Sequence, residues 1–113
     1  MSIATETTEL AVIARPMGTD HYEASTSFQR DLESLVAQAG AAGLRLVVNC
    51  ASISYVSSAG LRAFLVAARA AKSAGVGFAV CTLGPAVREV FDVSGFSSVI
   101  RVADSEADAL AQF

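Results

Sequence analysis

The chain is poor in the residues on which enzymes most often rely. Its 113 residues include one histidine and two cysteines, and only 17% are charged. The histidine, His21, stands beside Asp20. A serine–histidine–aspartate triad needs an acid that orients the far ring nitrogen, and an adjacent aspartate is poorly placed for that. The G-x-S-x-G turn that would present a nucleophile is missing. No Walker A sequence occurs, and Gly75-Val76-Gly77 precedes a strand-like segment and lacks the third glycine of a dinucleotide loop. No close-spaced set of His, Cys, Asp or Glu suits a metal, and the acids Asp104, Glu106 and Asp108 are better explained as charge favoured at a helix start. These absences predict a chain that is not an enzyme and that needs no cofactor or metal.

Other absences bound its surroundings. The net charge of −3 lacks the basic footprint of a nucleic-acid binder or a polybasic membrane anchor. No apolar run approaches the ~20 residues that span a bilayer. The first residues, Met1 to Glu6, lack the basic and apolar regions of a signal peptide, so a cytoplasmic location is expected. Cys50 and Cys81 lie in apolar, strand-like segments and read as reduced core thiols.

What is present is apolar: 53% of the residues are hydrophobic. The length argues for one domain, residues 1–113, large enough to bury a core without staples. Residues 9–15 read as a strand, with residues 3–8 either a weaker strand beside it or a frayed terminus. A helix is expected over 24–39, where Phe28, Leu32, Leu35, Val36 and Ala39 recur at helical spacing. A buried strand follows at 44–50. A second helix is expected over 59–73, with Leu61, Phe64, Leu65, Ala68 and Ala71 inward and Arg62, Arg69 and Lys72 outward. Residues 76–83 read as a strand, Pro85 opens a third helix, residues 98–103 form a short strand and Ser105 opens a last helix. Strands alternating with helices predict an α/β fold whose strands pair in parallel through crossovers.

One segment stands out against this background. Tyr55-Val56-Ser57-Ser58-Ala59-Gly60-Leu61-Arg62 carries two hydroxyls where a loop becomes a helix. A helix start exposes unpaired N–H groups and the positive end of the macrodipole. A serine there can cap the helix, or it can carry a phosphate that those groups stabilise. The small residues Ala59 and Gly60 would let a partner's active site approach the hydroxyl, and Arg62 could contact phosphate or partner.

The stretch Leu46 to Leu65, with the block Ser57-Ser58-Ala59-Gly60-Leu61, resembles the STAS-domain family of anti-sigma factor antagonists. The segment Leu83 to Phe96 is similar to that family too, as is the G-x-D turn at Gly18 and Asp20. The resemblance implies a small α/β sandwich with helices on a mostly parallel or mixed sheet. It implies an anti-sigma factor partner that is also a GHKL-type serine kinase, and a serine phosphatase that resets the phosphorylated form. Dephosphorylated antagonist would bind the kinase and free a sigma factor. The implied phosphoacceptor is Ser58, with Ser57 as the alternative. Ser57, Ser58, Ala59, Gly60 and Arg62 are the implied partner-binding residues. Three positions depart from the family pattern: Ser57 and Asn49 replace frequent aspartates, and Ala59 replaces a second serine. The other role open to such a domain is a scaffold in a larger regulatory or transport assembly, without phosphorylation.

Overall fold

A computed structural model describes residues 3–17 and 26–112. The expected G-x-D turn and His21 lie outside the described residues. Ten elements follow in order: β1 (Ile3–Thr7), β2 (Ala11–Pro16), α1 (Thr26–Ala42), β3 (Arg45–Asn49), α2 (Ser58–Ala74), β4 (Phe78–Cys81), α3 (Pro85–Val93), a 3-10 turn (Phe96–Ser98), β5 (Arg101–Ala103) and α4 (Glu106–Ala111). The sheet runs β1-β2-β3-β4-β5. β1 pairs antiparallel with β2, from Ile3 opposite Pro16 to Thr7 opposite Val12, and the other three pairings are parallel. The weaker N-terminal segment is therefore a paired strand. Thr8 makes the hairpin turn, its Oγ1 accepting from the N–H groups of Leu10 (3.2 Å) and Ala11 (3.1 Å).

Alternation along the strands divides the sheet into two faces. Val12, Ala14, Leu46, Val48, Phe78 and Val80 join the larger cluster, and Ala11, Ile13, Val47, Ala79, Cys81 and Ala103 the smaller. On the larger face α1 contributes Phe28, Leu32, Leu35, Val36 and Ala39, as the spacing predicts. α2 contributes Ala63, Phe64, Ala67 and Ala71. The stripe facing the core is thus turned slightly from the expected one, and Leu61 and Ala68 pack at its margin. α3 adds Val87 and Phe91. Phenylalanine rings tie these helices together edge to face: Phe28 to Phe64 at 5.5 Å, Phe64 to Phe91 at 5.6 Å, and Phe91 to Phe96 at 6.3 Å. The smaller face is covered by α4 through Ala109 and Leu110.

Two glycines stop the long helices at a left-handed residue. Gly43 (φ 69°) and Gly75 (φ 70°) let the next N–H, of Leu44 and Val76, return to the carbonyls of Ala39 and Ala71, both at 2.8 Å. The last two strands are shorter than expected. Thr82 adopts φ 60° and ends β4, while Gly95 (φ 80°) opens the 3-10 turn, whose Phe96 carbonyl takes the N–H groups of Val99 and Ile100. The thiols of Cys50 and Cys81 are free and buried, and they belong to different clusters, one for each face. Burial pushes both thiols up from their ordinary range.

Candidate functional site

Because β2 to β5 run parallel, the chain leaves each of them at one edge of the sheet. The residues from Cys50 to Ser57 follow β3 there and are held from below. Ile53 and Val56 are buried, and the Ile53 N–H donates to the Cys50 carbonyl at 3.0 Å. Between these anchors Tyr55 projects, 62% exposed.

The two serines divide the helix start between them. Ser57 is the N-cap of α2: its backbone is extended (φ −77°, ψ 171°), and its Oγ accepts from the Gly60 N–H at 3.0 Å. Its carbonyl takes the first helical hydrogen bond, from Leu61, at 2.9 Å. Ser58 is the first helical residue and is exposed. Its hydroxyl makes no hydrogen bond among the described residues. Ala59 is exposed beside it, Gly60 is buried beneath, and Arg62 is exposed one turn on. The structure therefore brings Ser57, Ser58, Ala59 and Gly60 into a single turn, with Arg62 just beyond it. No acidic residue lies in the first turn of α2, so nothing on the helix opposes a negative charge there.

Asn49, the last residue of β3, has a role that local sequence does not reveal. Its Nδ2 donates to Glu106 Oε2 at 2.7 Å, and its Oδ1 accepts from the Ala51 N–H at 2.9 Å. Glu106 in turn receives Arg15 in a two-pronged pair, Nε to Oε2 at 2.8 Å and Nη2 to Oε1 at 2.9 Å. Arg15 also reaches Glu6 at 2.9 Å. Hydrogen bonds from Arg15, with a lesser contribution from Asn49, hold the Glu106 carboxyl below its ordinary range, and Glu106 and then Glu6 raise the Arg15 guanidinium. The group ties the start of α4 to the exit of β3, from which the serine loop departs. Glu106 lies 57 residues from Asn49 and 91 from Arg15, which is why spacing could not find the group.

Two further features of this edge escaped the sequence reading. Thr82, a β-branched residue, holds a left-handed backbone (φ 60°) at the exit of β4. Arg88 and Asp104 form an exposed ion pair at 3.2 Å between α3 and the turn after β5. Among the described residues no group of His, Cys, Asp and Glu could hold a metal ion, and no helix is long and apolar enough to cross a membrane. The site can cap, hydrogen-bond and present a hydroxyl. Among the described residues, no base is hydrogen-bonded to either serine hydroxyl.

Comparison with known proteins agrees with this geometry. The family model described as the STAS domain matches residues 2–109. A relative from Bordetella bronchiseptica, named as a candidate anti-sigma factor antagonist, BtrV, is 40% identical over 79 residues, covering 70% of this chain and 68% of its own. The crystal structure of an anti-sigma factor antagonist from Mycobacterium paratuberculosis superposes with a TM-score of 0.82 at 18% identity, covering 98% of this chain and 92% of that one. The antagonist SpoIIAA in its unphosphorylated form gives 0.74 at 21% identity, covering 98% and 95%. The likeness to both structures is one of fold. The matched span and the 40% identical relative go further: this chain belongs to the STAS domain family.

Proposed function

We propose that this chain is an anti-sigma factor antagonist whose binding to an anti-sigma serine kinase is switched by phosphorylation of Ser58. The division of labour between the serines carries the reading. Ser57 Oγ performs the capping, so the exposed Ser58 hydroxyl has no structural task among the described residues. The name of the 40% identical relative supports an antagonist role. SpoIIAA, of the same fold, has been solved both unphosphorylated and phosphorylated.

The switch is electrostatic. A phosphate adds about −1.5 to −2 charge to one small patch. The free N–H groups at the start of α2 and the Arg62 guanidinium accommodate that charge, so the fold survives it. A partner surface fitted to a neutral hydroxyl does not, because the charge must be desolvated or repelled. In the dephosphorylated state the chain holds a GHKL-type kinase and frees a sigma factor, and a serine phosphatase restores that state.

Incubation with such a kinase and ATP, followed by intact mass spectrometry and site mapping, tests the reading. One phosphate is expected on Ser58 and none on Ser58→Ala. Ser58→Asp is expected to weaken kinase binding about tenfold or more, since it places an unpaired charge in the contact. A phosphate that moves to Ser57 in Ser58→Ala would reassign the acceptor. A chain that takes no phosphate and binds equally as Ser58→Asp would be a non-switching scaffold.

A further inference from the structure

Positive charge is distributed unevenly over this acidic chain. α2 carries Arg62, Arg69 and Lys72 and not one acidic residue, although the whole chain has a net charge of −3. Three cations elsewhere are engaged: Arg15 with Glu6 and Glu106, Arg88 with Asp104, and Arg101 through Nη1 to the Gln112 carbonyl at 2.6 Å. The three on α2 have no ion pair or side-chain hydrogen bond among the described residues.

Two of them border a groove. It lies between the C-terminal half of α2, the start of β4 and the segment entering β5, and has a volume of about 670 Å³. Arg69, Lys72 and Arg101 are its exposed cations. Val76 and Phe78 are buried beneath, and Val99 stands 62% exposed at its side. Lys72 has a local reason for its place, since a cation in a helix's last turn offsets the carbonyl dipoles. That reason does not extend to Arg69, which lies nearly a turn earlier, nor to the lack of any acid along the helix.

We propose that this groove is a docking site for an acidic segment of a partner protein, one that carries apolar side chains between its carboxylates. The cations match carboxylates, and Val99 with the buried floor matches the apolar side chains. Complementary charge of this kind guides encounter and register. The proposal does not rest on the Ser58 switch. Fourteen residues of helix, about 21 Å at 1.5 Å each, separate Ser58 from Lys72. That exceeds the screening length of about 8 Å at physiological salt. Occupancy of the groove is therefore independent of charge at Ser58.

Amide chemical shifts of the isotope-labelled full chain, titrated with an octapeptide alternating glutamate and leucine, test this. Shifts are expected at Arg69 to Phe78 and Ser98 to Arg101, alike in wild type and Ser58→Asp, and weakening with added salt. The double charge reversal Arg69→Glu with Lys72→Glu is expected to weaken binding at least tenfold, about 1.4 kcal/mol, since each reversal turns an attraction into a repulsion. Both side chains are exposed, so the spectrum away from the groove should stay unchanged. Shifts centred on the first turn of α2, or an equal response to a lysine–leucine octapeptide, would overturn the proposal. An octathymidylate that reproduces the response would make the groove a general polyanion site and also overturn it. So would self-association in the ultracentrifuge that the same reversals abolish, since the occupant would then be a second copy of the chain.

Discussion

The two faces of the sheet are held by different physics. The larger face is covered by α1, α2 and α3, whose interlocked Phe28, Phe64 and Phe91 are wholly buried. Among the described residues the smaller face bears a single helix, α4, six residues long, with small side chains such as Ala103 and Ala109 at the contact. What α4 lacks in apolar area it makes up with the Arg15–Glu106–Asn49 group. The first face follows apolar volume and should be indifferent to pH and salt. The second depends on a partly exposed ion pair, with the ordinary sensitivity of such pairs to both. The exit of β3 joins the two, since Asn49 bonds to α4 while Ile53 and Val56 enter the larger core.

The largest expected effect follows from removing the centre of the first face. Phe64→Ala deletes a ring in contact with two others. It should cost about 3–5 kcal/mol, a substantial share of the 5–15 kcal/mol that stabilises a typical domain. Urea unfolding of the variant checks this. A loss near 1 kcal/mol would mean that the ring cluster relaxes around the gap, and the contrast between the faces would fail.

A smaller, pH-dependent loss is expected from the second face. Glu106→Gln keeps the shape of the side chain and removes its charge, so Arg15 retains only Glu6 as an ionic partner. The expected cost at neutral pH is about 1 kcal/mol, the upper range for an ion pair of this exposure. Arg15 chiefly, and Asn49 after it, lower the folded carboxyl's affinity for its proton, so the unfolded chain holds that proton more tightly. The contribution of Glu106 is thus present above the ordinary carboxylate pKa of about 4.3 and is lost as pH falls through the lowered folded value. Unfolding curves of wild type and variant should run parallel from neutral pH down to about 5 and converge in more acid solution. A gap that stayed constant into strong acid would show that the ion pair is not what fastens α4.

The same contrast separates what the sequence discloses from what it conceals. Phe28, Leu32, Leu35, Val36 and Ala39 announce the buried side of α1 because burial imposes a period that any window displays. The parallel order of β2 to β5 follows from alternating elements, and Ser105 announces the start of α4, its Oγ accepting from the Asp108 N–H at 3.1 Å. Asn49 shows no such local signal. In the sequence it is a departure from a family aspartate. In the fold it donates to Glu106, a contact that a second carboxylate could not make without like-charge repulsion. Its partner lies 57 residues away, beyond any local pattern. Thr82 was equally hidden, because a β-branched residue gives no warning of a left-handed backbone. The two serines fall between these cases. Spacing placed both at the helix start, but only the observed hydrogen bond assigns the cap to Ser57.

The smallest expected effect bears on that assignment and on the first face together. Ser57→Ala removes the hydroxyl that satisfies the Gly60 N–H and leaves every apolar contact of α2 in place. If apolar volume governs this face, the cost should be about 1 kcal/mol, the usual worth of a cap and well below that of Phe64→Ala. Ser58→Ala should cost less still, since the Ser58 hydroxyl bonds to nothing among the described residues. Urea midpoints of the two single variants give the order directly. An equal loss from both, or a larger one from Ser58→Ala, would mean that Ser58 shares the capping, and its exposure would no longer mark it as a group kept for a partner.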